Sequence, residues 1–291
     1  MGGTGYFPPE SMLHRVQAHR AVGQTYGQRA LIVGATSPVP YVGTSSSTKA
    51  KERPFARLSA TAEAFEAIFF GDRDEADRVL TGVRRMHSRV KGVLPQDEGR
   101  FPAGTPYDAF DPHLMLWTMA VLADSSRACF EALVRPLTSA EREDLWQDWV
   151  RFGELFGMPP AVAPATADEF DAWMAAHLDG PDFHVTEEAR AVGRAIALDM
   201  PVPGRLRIGS RGTNLVVVGL LPARVREAFG LPWSAAHAAG HRALTAAVRA
   251  SQRVAPDRVR LGRNTRLFRI VTATEHKVIA AGGTTIDLPG T

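Results

Sequence analysis

The stretch FDPHLMLWTMAVLADSSRACFEALV, Phe110 to Val134, decides the fold class. Asp111 stands as a helix cap and Pro112 takes the first helical position, where a missing N–H costs nothing. Apolar residues then surround the helix on every side, which marks it as central and buried. Its longest apolar run, Leu114 to Ala123, is about half of the roughly 20 residues that a membrane span requires. The segment reads as a core helix, and no integral membrane segment is expected.

Helix signals dominate the neighbouring sequence. Thr138 with Glu141 and Thr166 with Glu169 form two capping boxes, which start helices running to about Phe156 and Ala176. On the N-terminal side, RLSATAEAFEAIFFG from Arg57 is a short helix that Gly71 ends, and Asp72 with Glu75 caps the next. In that next helix, about Arg73 to Val90, the residues Ala76, Val79, Leu80, Val83, Met86, His87 and Val90 recur at spacings of three and four, on one face. A first helix is expected from Ser11 to about Gln28, followed by RALIVGA, compatible with helix or strand. Thr36 to Pro54 is rich in Pro, Ser, Thr and Gly and reads as a mobile loop, and Pro95 to Tyr107 as another. Later helices are expected at 186–198, 212–220, 221–229 and 234–254. From Leu267 the tail gains β-branched residues and a Gly-Gly turn signal, which predicts a short C-terminal hairpin. No fixed-period repeat or linker divides the chain, so residues 1–291 read as a single, mostly α-helical domain.

The 291 residues are 45% apolar, enough for a sizeable core. Lys and Arg number 34 against 31 Asp and Glu, so the net charge is small and no nucleic-acid partner is indicated. Cys129 is the sole cysteine, which excludes an intrachain disulfide framework and cysteine-based metal cages. The N-terminal MGGTGYFPPESMLHR shows no basic region followed by an apolar run, so a cytoplasmic protein is expected. P-loop, dinucleotide-binding, HExxH and GxSxG signatures are all missing.

What remains is histidine on helices. His237 and His241 share a face four residues apart, a spacing that suits a metal or, more plainly, chance. His113 falls in the first turn of the central helix. His87 differs, because its face is otherwise apolar: burying an imidazole costs free energy unless its nitrogens find partners. Haem iron is one partner and an ordinary core hydrogen bond is the plain alternative.

Five blocks add to this reading. RLSAT (Arg57 to Thr61), Ala67 to Gly92, Tyr107 to Ser125, Pro136 to Pro160 and Val217 to His237 run in an order that resembles the oxygenase family of latex-clearing rubber oxygenases and the fungal MpaB-type enzyme. The likeness covers roughly residues 10 to 255, with 256–291 as an extension. It implies an all-α, globin-like fold with a haem b pocket between helices, and a small apolar substrate attacked with dioxygen. In the rubber-cleaving members an R-x-x-x-T and an H-x-x-x-R motif line the haem. Arg57 and Thr61 match the first. His87 matches the axial iron ligand, with Lys91 where the arginine would stand, a cation without the bidentate fork. Asp124, inside the central helix, is expected to pair with Arg127 or a cation near the haem edge. The chain departs from the family at Met119 and Ser37, where relatives carry histidine, and at Ala60, where latex-clearing members carry lysine. Polyisoprene is therefore not the expected substrate. The resemblance implies a haem b oxygenase acting on an isoprenoid or other natural-product intermediate; a non-catalytic haem or apolar-ligand binder and a non-haem metal oxidoreductase are the alternatives.

Overall fold

The computed structural model describes residues 5–45 and 53–286. The chain is all-α apart from one antiparallel pair. Its centre is α7 (Pro112–Leu133), capped by Asp111, whose side chain accepts from the backbone N–H groups of His113 and Leu114. Against it lie α3 (Tyr26–Gly34), α8 (Ser139–Phe156) and α13 (Ala235–Val254). The helix α8 begins with a complete capping box between Thr138 and Glu141, and ends at Gly157, whose φ of 102° is left-handed. Thr166 caps α9 (Ala167–Asp179) at the Glu169 N–H, but the Glu169 carboxylate turns to the Ala165 N–H, so only half of that box forms.

A second layer consists of α5 (Pro54–Phe70) and α6 (Arg73–His87), which pack antiparallel across Gly71. Asp72 caps α6 at the Glu75 N–H, at 2.8 Å. Aromatic rings weld this layer to α8: Phe69 meets Trp149 edge-on at 5.9 Å, and Phe65 meets Phe152 at 5.3 Å. The remaining elements are α10 (Glu187–Leu198), α11 (Arg207–Leu220), α12 (Ala223–Ala228) and the short α14 (Asp257–Arg260).

Three expectations change and one open alternative is resolved. The single helix from Ser11 is three: α1 (Met12–Ala18), α2 (Arg20–Gly23) and α3. It breaks at His19, whose backbone is extended because it bridges to Leu261, far away in sequence. RALIVGA is helical within α3. The loop expected from Thr36 contains α4 (Pro38–Ser45), with Pro38 at a first-turn position where proline is favoured; its part at 46–52 lies outside the described residues. Most clearly, the C-terminal tail forms no hairpin but α15 (Thr265–Ala280), which lies along α5 and buries Val271 against Phe55. The pair of strands is instead β1 (Lys91–Val93) with β2 (Pro106–Asp108), in the register Lys91↔Asp108, Gly92↔Tyr107 and Val93↔Pro106. Only glycine fits at Gly92, because a Cβ there would fall 2.5 Å from the Tyr107 hydroxyl.

That C-terminal helix also caps α5. Glu275, fully buried, accepts from the backbone N–H groups of Phe55 at 3.0 Å and Ala56 at 2.6 Å. These are orphan donors of the first turn, and the carboxylate also meets the positive end of the helix dipole.

Candidate functional site

On α5 one face runs Arg57, Thr61, Phe65, Ile68. Its lower end is core: Ile68 is fully buried, and Phe65 packs on Phe152 and Phe156. Its upper end, Arg57 and Thr61, is open to solvent. The same change occurs on α7. Ser125 and Cys129 are fully buried, whereas Thr118, on the same face two turns earlier, is exposed. Both helices thus pass from buried to solvent-open along one face. The character of Arg57 agrees with this: solvent reaches the side chain, yet surrounding protein lowers its pKa by burial, with the Tyr41 charge opposing. An arginine on a convex surface would not be desolvated in that way.

His87 ends α6. It shares a face with Ala76, Leu80 and Val83, while Met86, expected on the same stripe, is 55% exposed and points outward. The helix gives way after His87, earlier than the expected Val90, and the chain turns into β1. The imidazole is half-buried, and burial alone holds its pKa below the ordinary 6.5, so it is neutral at physiological pH. Its ring meets Phe110 edge-on at 6.3 Å. Neither ring nitrogen has a hydrogen-bond partner among the described residues.

Around it, Arg57 donates from Nη1 to the Thr44 carbonyl at 2.8 Å, and Thr61 Oγ1 donates back to the Arg57 carbonyl at 3.0 Å. The Thr61 hydroxyl thereby satisfies its own helix, a common habit of threonine, while keeping its lone pairs free for a ligand. Ala60, on the same helix, is exposed and offers no polar group. Tyr41 on α4, which no sequence signal singles out, lies near Arg57. Its buried hydroxyl has no hydrogen-bond partner among the described residues. Burial raises its pKa, the Glu188 charge adds to the rise, and Arg57 is close enough to oppose it. A buried phenol oxygen without a partner is costly unless a ligand or water supplies one.

Other residues of interest stand apart. Lys91 pairs with Asp108 across the strand register at 2.9 Å and is largely in solvent. Asp124 has both oxygens engaged by arginines. Arg29, almost fully buried, donates to its Oδ2 at 2.6 Å, and Arg127 approaches its Oδ1 at 3.5 Å. The network continues from Arg127 to Asp171 and on to Arg142. This pairing accounts for the buried acid without a cofactor, and it supplies Arg127 as expected and Arg29 in addition. Met119 is buried against Gly153 of α8, and Ser37 is buried as well. His237 caps α13 through Ser234 and stacks on Trp233, which His241 also meets. No cluster of three or more His, Cys, Asp or Glu suited to a metal ion occurs among the described residues.

A neutral, half-buried imidazole with no hydrogen-bond partner among the described residues keeps a lone pair for a group that needs one nitrogen ligand. The chain belongs to the family of the ER-bound oxygenase mpaB/B' and rubber oxygenase catalytic domain, whose model matches residues 14–250. It is therefore a member of an oxygenase family. Two mycobacterial proteins described as uncharacterised, Mb2261 of Mycobacterium bovis and Rv2237 of Mycobacterium tuberculosis, are each 28% identical to it over 212 residues, 71% of this chain and 78% of theirs. No solved structure matches it. Among the described residues no helix is long and apolar enough to cross a membrane.

Proposed function

We propose that this protein is a haem b-dependent oxygenase that uses dioxygen on a small apolar substrate, with His87 as the axial ligand to iron. The observation that carries the reading is the state of His87 itself: half-buried, neutral and without a hydrogen-bond partner among the described residues, in a chain of an oxygenase family. The residues present fit a flat, doubly anionic macrocycle. Arg57 supplies a partly desolvated cation for a propionate, and Tyr41 has a buried hydroxyl in need of a partner. Thr61 presents oxygen lone pairs one turn along from Arg57. When bound, the haem supplies the oxygen-activating chemistry.

The chain's own residues do the rest. The imidazole of His87 would hold the iron through a ring nitrogen, with Phe110 edge-on against the ring at 6.3 Å. Arg57, held by the Thr44 carbonyl, orients the anionic edge. Phe65 and Ile68 form an apolar floor that keeps bulk water away from the substrate. In this reading Lys91 is a strand-pairing residue, because Asp108 already neutralises its ammonium, and Asp124 holds the central helix to α3.

The test is spectroscopic. Protein isolated from haem-replete cells should show a Soret band at about 400–420 nm and a pyridine haemochrome typical of haem b. His87→Ala should abolish or shift the band while circular dichroism stays that of the parent. A colourless parent protein, or an unchanged spectrum in the variant, ends the assignment. Oxygen uptake with added alkenes then separates an enzyme from a haem carrier, the reading that the apolar Ala60 would otherwise favour.

A further inference from the structure

At the opposite end of α7 from His87 lies a second concavity, of about 460 Å³. Phe110, which touches His87, precedes the helix, and Phe130, which floors the cavity, closes it; twenty residues at 1.5 Å each separate them by about 30 Å. The cavity is thus independent of the proposed haem site.

Four guanidinium groups converge on it, from Arg15 of α1, Arg135 just beyond α7, Arg253 near the end of α13 and Arg260 of α14. Two are already neutralised. Arg135 forms a bidentate pair with Glu141 at 2.6 and 2.7 Å, and Arg260 pairs with Asp257. The other two are not. Arg15 comes no nearer to Glu141 than 3.8 Å, and Arg253 has no charged partner among the described residues. The ends of α7 and α13 meet here, and cations near such ends answer the helix dipole. That duty, however, is done by others: Arg249 donates to the carbonyls of Glu131 and Ala132, and Arg135 to that of Pro136. Among the described residues Arg15 and Arg253 donate to no backbone carbonyl, so the cavity holds about two positive charges in excess.

The floor is aromatic and rigid. Phe130 is buried, the His19 ring stands edge-on to it at 5.4 Å, and the Arg135 guanidinium lies over its face at 5.6 Å. His19 is held by the Gln252 amide oxygen at 3.2 Å, and its backbone bridge to Leu261 ties α14 in place beside it. Walls drawn from three parts of the chain are therefore fixed before any ligand arrives. The volume lies within the range of small-molecule sites and exceeds what a bare inorganic ion would fill.

We propose that this cavity binds a small organic phosphate, its dianionic head between Arg15 and Arg253 and its apolar or aromatic body over Phe130. Guanidinium forks match phosphate oxygens in pairs, and a flat body can stack beside the Arg135–Phe130 pair.

The experiment uses the full-length protein and two probes, phenyl phosphate and inorganic pyrophosphate, titrated calorimetrically against sodium chloride of equal ionic strength. Phenyl phosphate should bind saturably at one site, more tightly than pyrophosphate because of its ring. The double variant R15Q/R253Q should weaken it by about tenfold or more, since two charge-assisted contacts are lost. Its circular dichroism and haem content should match the parent; should the double variant misfold, R253Q alone makes the same comparison. Absence of binding beyond the chloride control, or equal binding by parent and variant, overturns the proposal. So does binding only to phosphatidylcholine vesicles doped with phosphatidic acid, which would make the face a membrane contact. None of these outcomes touches the assignment of His87, which the Soret band reads separately.

Discussion

The Asp124→Ala substitution distinguishes two accounts of a buried acid. Arg29 places its guanidinium where its side chain is 5% exposed, and donates to the Leu220 carbonyl at 2.9 Å, to Ser125 Oγ at 2.8 Å and to Asp124 Oδ2 at 2.6 Å. Removing the carboxylate leaves the first two contacts but strips the charge of its counter-ion, because no other acid among the described residues pairs with Arg29. Breaking a buried pair in this way costs about 3–5 kcal/mol. Arg127 adds little, since it retains Asp171 at 2.5 Å, and a partly exposed pair is worth under about 1 kcal/mol. A loss of that size lowers the melting temperature by roughly 5–8 °C in a chain of this size. Asp124→Asn keeps an acceptor and should lose roughly half as much. The double substitution Arg29→Met with Asp124→Leu removes both charges and should recover most of the loss, since apolar replacements of buried pairs are tolerated. Calorimetric melting of the three variants measures this, with haem content per mole of folded protein as the second reading. A loss below about 1 kcal/mol in Asp124→Ala, together with loss of haem, would show the carboxylate serving a cofactor and refute the structural account.

Three further outcomes are expected. Glu275→Ala exposes two orphan N–H groups at the start of α5 and removes a capping charge, for about 2 kcal/mol of stability and a weakened hold on the Arg57 turn; a melting curve like the parent's would mean the cap is idle. Lys91→Met loses only an exposed ion pair, so stability should change by less than about 1 kcal/mol and the haem spectrum not at all; a shifted Soret band would return Lys91 to the site. His177 stacks on Trp117 at 4.1 Å, and burial lowers its pKa below 6.5, as it does for His19, His87 and His241. The unfolded chain therefore takes up protons first as pH falls below 6.5, and the native state loses stability through that window. Glu66 and Asp148, raised by burial, act in the opposite sense but are common to parent and variant. His177→Phe should therefore lose less stability than the parent between pH 7 and pH 5 in urea titrations, and parallel slopes would count against a buried neutral ring.

Where the sequence carries its own caps and period, it reads through to structure. The start of α7 at Asp111 and Pro112, the Thr138 box of α8 and the Asp72 cap of α6 are local chemistry, visible in four consecutive residues. What was illegible depends on distant partners. Nothing near His19 announces a break; it follows from the bridge to Leu261. The tail holds Ile270, Val271, Thr272 and Thr274, a β-branched set that favours a strand, yet Val271 and Glu275 sit one turn apart on the face turned to Phe55. Burial on α5 and the capping of that helix outweigh an intrinsic preference worth at most about 1 kcal/mol per residue.

The candidate site divides along the same line. His87 was legible because an imidazole interrupts an apolar period, which is a statement about one helix. That its nitrogens have no hydrogen-bond partner among the described residues is a statement about everything packed around that helix, which its own period does not reveal. Tyr41 gave no signal at all, being one aromatic in a Pro- and Ser-rich run; only its packing beside Arg57 makes its hydroxyl conspicuous. The residue that holds Arg57 in place is further still from view. Glu275 lies beyond residue 250, where the family match ends, and grips the first turn of the helix that carries both Arg57 and Thr61. The C-terminal extension thus braces the start of α5, and truncation before Thr265 should loosen the Arg57 turn and uncover Phe55 even though every family motif is retained.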